Sequence, residues 1–219
     1  MDYYEVLLVL HVLLMGYWLG SELVAEGVWR NGWQALAADG LTRHRICAML
    51  CGLDHHPWSA LILNVALGFT LAAQVGLVWI GSSGLLAIWA VSAGWLLLAG
   101  YLHRWRARDR QSRLARLELL ARFGLAAALA VMALRSLAGD PAHGEPWLSW
   151  KVLLTAALVA CSAFVNWQVE SVRPARSAPP GAVPEQASLL RRLRMARAGR
   201  YLALLLALVI GWLGLMKPA

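Results

Sequence analysis

Residues 6–26 read VLLVLHVLLMGYWLGSELVAE. A run this apolar is long enough to cross a bilayer, which takes roughly 20 such residues. It nevertheless carries His11, Trp18 and Glu22. At about 100° per residue, His11, Met15, Trp18 and Glu22 fall on one helical face. Gly16 and Gly20 fall on the opposite face, in the small-xxx-small spacing that lets a neighbouring backbone approach closely. The reading predicts a membrane helix packed on both faces, with any chemistry on the polar stripe.

The rest of the chain agrees with that class. Of its 219 residues 60% are hydrophobic and 15% charged, and its mean hydropathy is +0.57. A soluble domain has roughly a quarter of its residues charged, so the expected fold class is all-α: an integral membrane helical bundle. Six runs qualify as spans, roughly 4–26, 58–80, 84–102, 117–137, 147–167 and 201–216, within a single transmembrane domain covering 1–219. The chain opens Met-Asp-Tyr-Tyr-Glu, without the positive n-region and small-residue cleavage site of a secretory signal. The first run is therefore expected to stay as a span.

Loop charge orients the bundle. Arg30, Arg43 and Arg45 separate spans one and two, and Arg104, Arg106, Arg108, Arg110, Arg113 and Arg116 separate three and four. Arg173, Arg176, Arg191, Arg192, Arg194, Arg197 and Arg200 separate five and six. The two remaining connections have no Lys or Arg, and 138–146 has Asp140 and Glu145 instead. The positive-inside rule then places the basic connections in the cytoplasm and both termini outside it, in a bacterial-type inner (plasma) membrane. The net charge of +8 is accounted for by these connections, and no nucleic acid partner is expected. Residues 41–53 alternate apolar and basic positions, as an interfacial helix does. Residues 173–186, rich in Pro, Ala and Ser, read as a flexible linker.

Ionisable groups inside spans are functional candidates. Toward the outer face lie His11, Lys151 and Arg135. Toward the cytoplasm lie Glu22, Glu26, Asn64, Arg122 and Asn166. Glu22 and Arg122 are expected to form a structural ion pair. Lys151, Thr155, Ser162 and Asn166 make a second polar stripe; Lys151 either snorkels to the interface or faces inward to pair a carboxylate. His11 either ligates a metal or hydrogen-bonds a neighbouring helix. His55, His56 and His103 are expected at the cytoplasmic end, away from His11, which argues against two histidines of this chain holding one haem. His44, Cys47 and Cys51 share a helical face and offer soft ligands of the kind that suit Cu(I). Ser-His-Asp, Walker, dinucleotide and zinc-protease motifs are absent from the sequence.

The stretch His11-Val-Leu-Leu-Met-Gly-Tyr-Trp18-Leu-Gly20 resembles the first-helix signature of CopD-type copper-resistance membrane proteins and HemJ-type protoporphyrinogen oxidases. Lys151-Val-Leu-Leu, opening a helix, looks like the Lys-Leu motif of the same groups. The run after Trp18, Leu-Gly-Ser-Glu, differs from the Pro-Arg-Leu-Phe run of the oxidases. The resemblance implies a bundle with a His on the first span and a Lys on a later one, associated with haem b or copper. The corresponding expectation is a multi-pass protein handling haem b or a porphyrin, as a b-type cytochrome subunit or redox protein. His11, Met15, Trp18 and Lys151 would then bind the cofactor, His11 as ligand to haem iron or copper. Two alternatives stand beside it: a copper-import or copper-tolerance permease, and a non-catalytic anchor or accessory subunit of a larger complex. Besides the lipid bilayer, expected partners are other membrane subunits or a second copy of the chain.

Overall fold

The computed structural model describes residues 2–38, 45–46, 49–50, 52–105, 113–139, 145–172 and 186–215. Among the described residues it has six long helices: α1 (Tyr3–Ala38), α2 (His55–Gln74), α3 (Ser82–Trp105), α4 (Arg113–Leu137), α5 (Pro146–Val172) and α6 (Gln186–Leu215). All six contain a stretch long and apolar enough to cross a membrane. The chain is a multi-pass helical bundle. His44, Cys47, Cys51 and the 173–185 part of the linker lie outside the described residues, as does most of the 41–53 segment.

Two helices run well beyond the expected spans. α1 continues to Ala38; residues 27–38 contain no proline to stop it, and Trp29 at their start is fully buried. α6 joins the basic stretch 186–200 to the last span in one 30-residue helix. Its buried residues Leu189, Leu193, Ala196 and Arg200 recur every three or four positions, so one face stays against the bundle throughout. α2 starts three residues before the expected Trp58, with Pro57 in the first turn, where its missing N–H costs nothing. It stops at Gln74, where Gly76 adopts φ +73°. Gly76 N–H donates to Ala73 O and Leu77 N–H to Ala72 O, the bonds that close a Schellman cap.

The helices group in threes. α1 packs chiefly on α2 and α2 on α3; α5 packs on both α4 and α6. Backbone contact between the two groups is smaller and is made mainly where α1 meets α6 and α3 meets α4. One core cluster spans both groups, with Trp18, Trp58, Ala60, Leu61 and Ile62 on one side and Ala126, Leu129, Ala156, Leu158, Val159, Ala203 and Ala207 on the other. Alanine is frequent there because helix association in lipid depends on close van der Waals approach. Trp18 is 2% exposed inside this cluster.

The tight glycine contact is not on α1. A Cβ at Gly16 or Gly20 would meet nothing within 4 Å, so the expected packed seam is an open face of the isolated chain. A Cβ at Gly199 would lie 2.9 Å from Val165 Cγ2 and 3.4 Å from Phe164 Cδ1. The close approach that needs glycine is therefore between α5 and α6.

Candidate functional site

Polar side chains gather at two depths, one near the end carrying the chain termini and one near the end carrying the basic connections.

The terminal-end group centres on His11. A Cβ on Gly68 of α2 would lie 3.4 Å from His11 Cε1. The Cε1 corner of the imidazole therefore faces the α1–α2 contact. His11 Nδ1 is buried and has no hydrogen-bond partner. The Asn64 side chain lies beside the ring, yet Asn64 Oδ1 is also buried without a partner. Asn64 is nonetheless within hydrogen-bonding reach of the ring through both its side chain and its backbone. Asn64 Nδ2 donates to Met15 Sδ at 3.8 Å. Met15 sits one turn from His11 on the same face, so an imidazole, a thioether and an amide share one neighbourhood. Lys151 of α5 is close enough for its charge to act on the ring. Its Nζ lies 3.1 Å from where a Gly214 Cβ would sit, which places the ammonium against α6 near the terminal end.

This arrangement corrects the expected depth of Asn64. It was expected toward the cytoplasm, with Glu22. It lies nine residues into α2, roughly 14 Å along the helix, and so reaches the level of Met15.

The basic-end group is a buried ion-pair network. Arg200 Nη2 donates to Glu22 Oε2 at 2.7 Å and to the Glu22 carbonyl at 3.1 Å. Arg122 contacts Glu118 Oε1 at 2.7 Å and Asp54 Oδ2 at 3.0 Å. Asn166 Nδ2 donates to the same Asp54 oxygen at 2.6 Å. The Arg122 guanidinium also lies over the Trp58 ring, 4.1 Å from its centroid. At the rim, Glu26 Oε1 accepts from Arg197 at 3.1 Å and from the Tyr201 hydroxyl at 2.8 Å. The expected Glu22–Arg122 pair is therefore not formed. The two residues do lie at similar depth, but α1 abuts α6 rather than α4, so Glu22 takes Arg200 and leaves Arg122 to Asp54 and Glu118.

Two clefts open in this region. The larger has an empty volume of about 490 Å³ measured out to its open mouth and is bordered by Glu22, Asp54, Ser162, Asn166 and Arg200. The smaller, about 230 Å³ on the same measure, is bordered by His55, Trp58, His103, Glu118 and Arg122. Neither borders His11. The stripe predicted on α5 is thus divided: Ser162 and Asn166 face the larger cleft, whereas the Thr155 hydroxyl bonds the Lys151 carbonyl within its own helix.

Sequence reading missed Asp54 and Arg200, both taken as parts of connections. It also missed the stacking of His55 on His103, with ring centroids 4.6 Å apart and planes 19° apart. A usable signal was present: both histidines sit at the basic ends of consecutive spans, joined by a short turn at the opposite end. Such a hairpin brings those ends to one level. Among the described residues, no three His, Cys, Asp or Glu side chains gather around a point that could hold a metal ion.

No family model, curated protein or solved structure matches the chain.

Proposed function

We propose that this multi-pass protein binds one soft monovalent cation, Cu(I), between α1 and α2 near the terminal end, as a copper permease or copper-tolerance protein of a bacterial-type inner membrane would. The observation that carries the reading is the His11 imidazole, its Nδ1 buried and without a partner, one turn from the Met15 thioether on the same face of α1. Buried polar atoms are ordinarily hydrogen-bonded, and a cation held between the imidazole and the thioether would satisfy Nδ1. Imidazole and thioether favour Cu(I) among the common metal ions, and copper is, with haem b, one of the two cofactors that the resemblance of the first helix implies.

A haem fits these residues less well. His11 Cε1 lies against α2 at Gly68, so a porphyrin has no room on that side of the ring.

The test is X-ray absorption at the copper edge on protein purified in detergent and loaded with Cu(I). A first shell of nitrogen with sulfur, the sulfur lost in Met15→Leu, is the expected result. A Soret band in the visible spectrum after haem supplementation, with no copper retained, would overturn the reading in favour of haem.

A further inference from the structure

The first half of α6 carries its charge at a depth that the bilayer defines. From Tyr201 to Leu215 the helix rises roughly 22 Å, short of the roughly 30 Å of a hydrocarbon core. Residues before Tyr201 must cover the difference. Within that stretch Arg197 and Arg200 turn inward, to Glu26 and Glu22 of α1. Arg194 and Arg191 lie roughly 10 and 15 Å before Tyr201, where hydrocarbon gives way to lipid headgroups. Both are exposed.

Those two arginines head an apolar stripe. At about 100° per residue, Arg191 and Arg194 fall in one arc of α6 with Met195, Leu202 and Leu205, and all five are exposed. The opposite face is held down: Leu189, Leu193 and Ala196 pack with Trp29, Leu50 and Val169. The helix therefore presents a fixed surface, charged at headgroup level and apolar below it. A phospholipid has the same order along its length, phosphate first and acyl chains after. Residues three apart on a helix are neighbours, so one phosphate can meet both guanidiniums, whose planar forks suit phosphate oxygens. Two positive charges side by side favour a headgroup of net negative charge over a zwitterionic one, whose ammonium would lie against them.

We propose that Arg191 and Arg194 hold the phosphate of an anionic phospholipid in the leaflet at the basic end, with its acyl chains along Met195, Leu202 and Leu205. The exposed Arg192, about 100° round the helix from Arg191, flanks the headgroup. The long arginine stems lie along the upper acyl chain while the guanidiniums reach the phosphate. The inference rests on α6 crossing the membrane and does not depend on what binds at His11.

Native mass spectrometry of the full-length protein tests it, with the protein released from micelles doped with equal amounts of phosphatidylglycerol and phosphatidylethanolamine. The expected result is one phosphatidylglycerol retained per chain, in preference to phosphatidylethanolamine. An arginine near an anionic surface is worth about five-fold in binding, so Arg191→Gln with Arg194→Gln should lower retention at least about ten-fold. Arg104→Gln with Arg116→Gln removes the same charge from exposed positions on α3 and α4 and should leave retention nearly unchanged. If the double change on α6 alters the helical circular dichroism, each single change is read in its place, with about five-fold expected from either. Retention of neither lipid, or of both equally, by the unmutated chain would overturn the proposal. So would a loss from the α3–α4 variant as large as the loss from the α6 variant.

Discussion

The two polar regions of this bundle are built on opposite principles. At the basic end every charged group named has a partner: Arg122 serves two carboxylates, Arg200 grips both the side chain and the carbonyl of Glu22, and Asn166 adds a second donor to Asp54, although Arg200 Nε and Glu26 Oε2 are buried without a hydrogen bond of their own. At the terminal end His11 Nδ1 and Asn64 Oδ1 are buried and unmet. The first arrangement ties five helices together. The second leaves ligating atoms available at a helix contact. Buried polar groups that satisfy one another fix packing, and those left open in a membrane interior mark where something else binds.

The comparison can be broken most readily at Arg122. Arg122→Met leaves Glu118 and Asp54 facing each other without their shared cation, and removing one partner of a buried pair costs roughly 3–5 kcal/mol. Thermal unfolding in detergent should show a large fall in midpoint or loss of the monodisperse species. Arg200→Met should act in the same direction, and the double change Arg200→Met with Glu22→Leu should recover much of the loss. A double variant as unstable as the sum of its parts would show that the pair is not coupled. Next in size is Gly199→Leu, whose Cβ would begin 2.9 Å from Val165 Cγ2. Overpacking of this kind costs about 1–3 kcal/mol, whereas Gly16→Leu should stay within about 0.5 kcal/mol because its Cβ meets open space. If Gly16→Leu proves the more damaging of the two, the open face of α1 is covered in the membrane by another chain.

What could be read from the sequence divides along a physical line. Hydropathy depends on residues close together in the chain, so the six spans were legible, and counting residues along a span gives depth. Depth alone put Glu22 level with Arg122, but which helix stands beside which depends on azimuth, and the sequence does not record it. That is why Glu22 was matched to α4 when α6 supplies its partner. Asp54 was hidden for a different reason: it lies one residue before α2, where an acidic residue reads as a helix cap. Its carboxylate makes no cap bond and turns inward to Arg122 and Asn166. His11 and Met15 were legible as neighbours because they lie four apart on one helix. Asn64, which completes the group, comes from another helix and was placed at the wrong depth.

The smallest expected change in stability is the most informative about function. His11→Ala removes a ring whose Nδ1 makes no hydrogen bond, so it should cost no more than about 1 kcal/mol. The decisive measurement is competition for Cu(I) between the purified protein and a chromophoric chelator, run beside thermal unfolding for the unmutated chain and His11→Ala. The account predicts one ion bound per chain, with affinity at least about ten-fold weaker in His11→Ala and an unfolding midpoint nearly unchanged. Absence of binding in the unmutated chain, or binding that survives His11→Ala at full affinity, would contradict it.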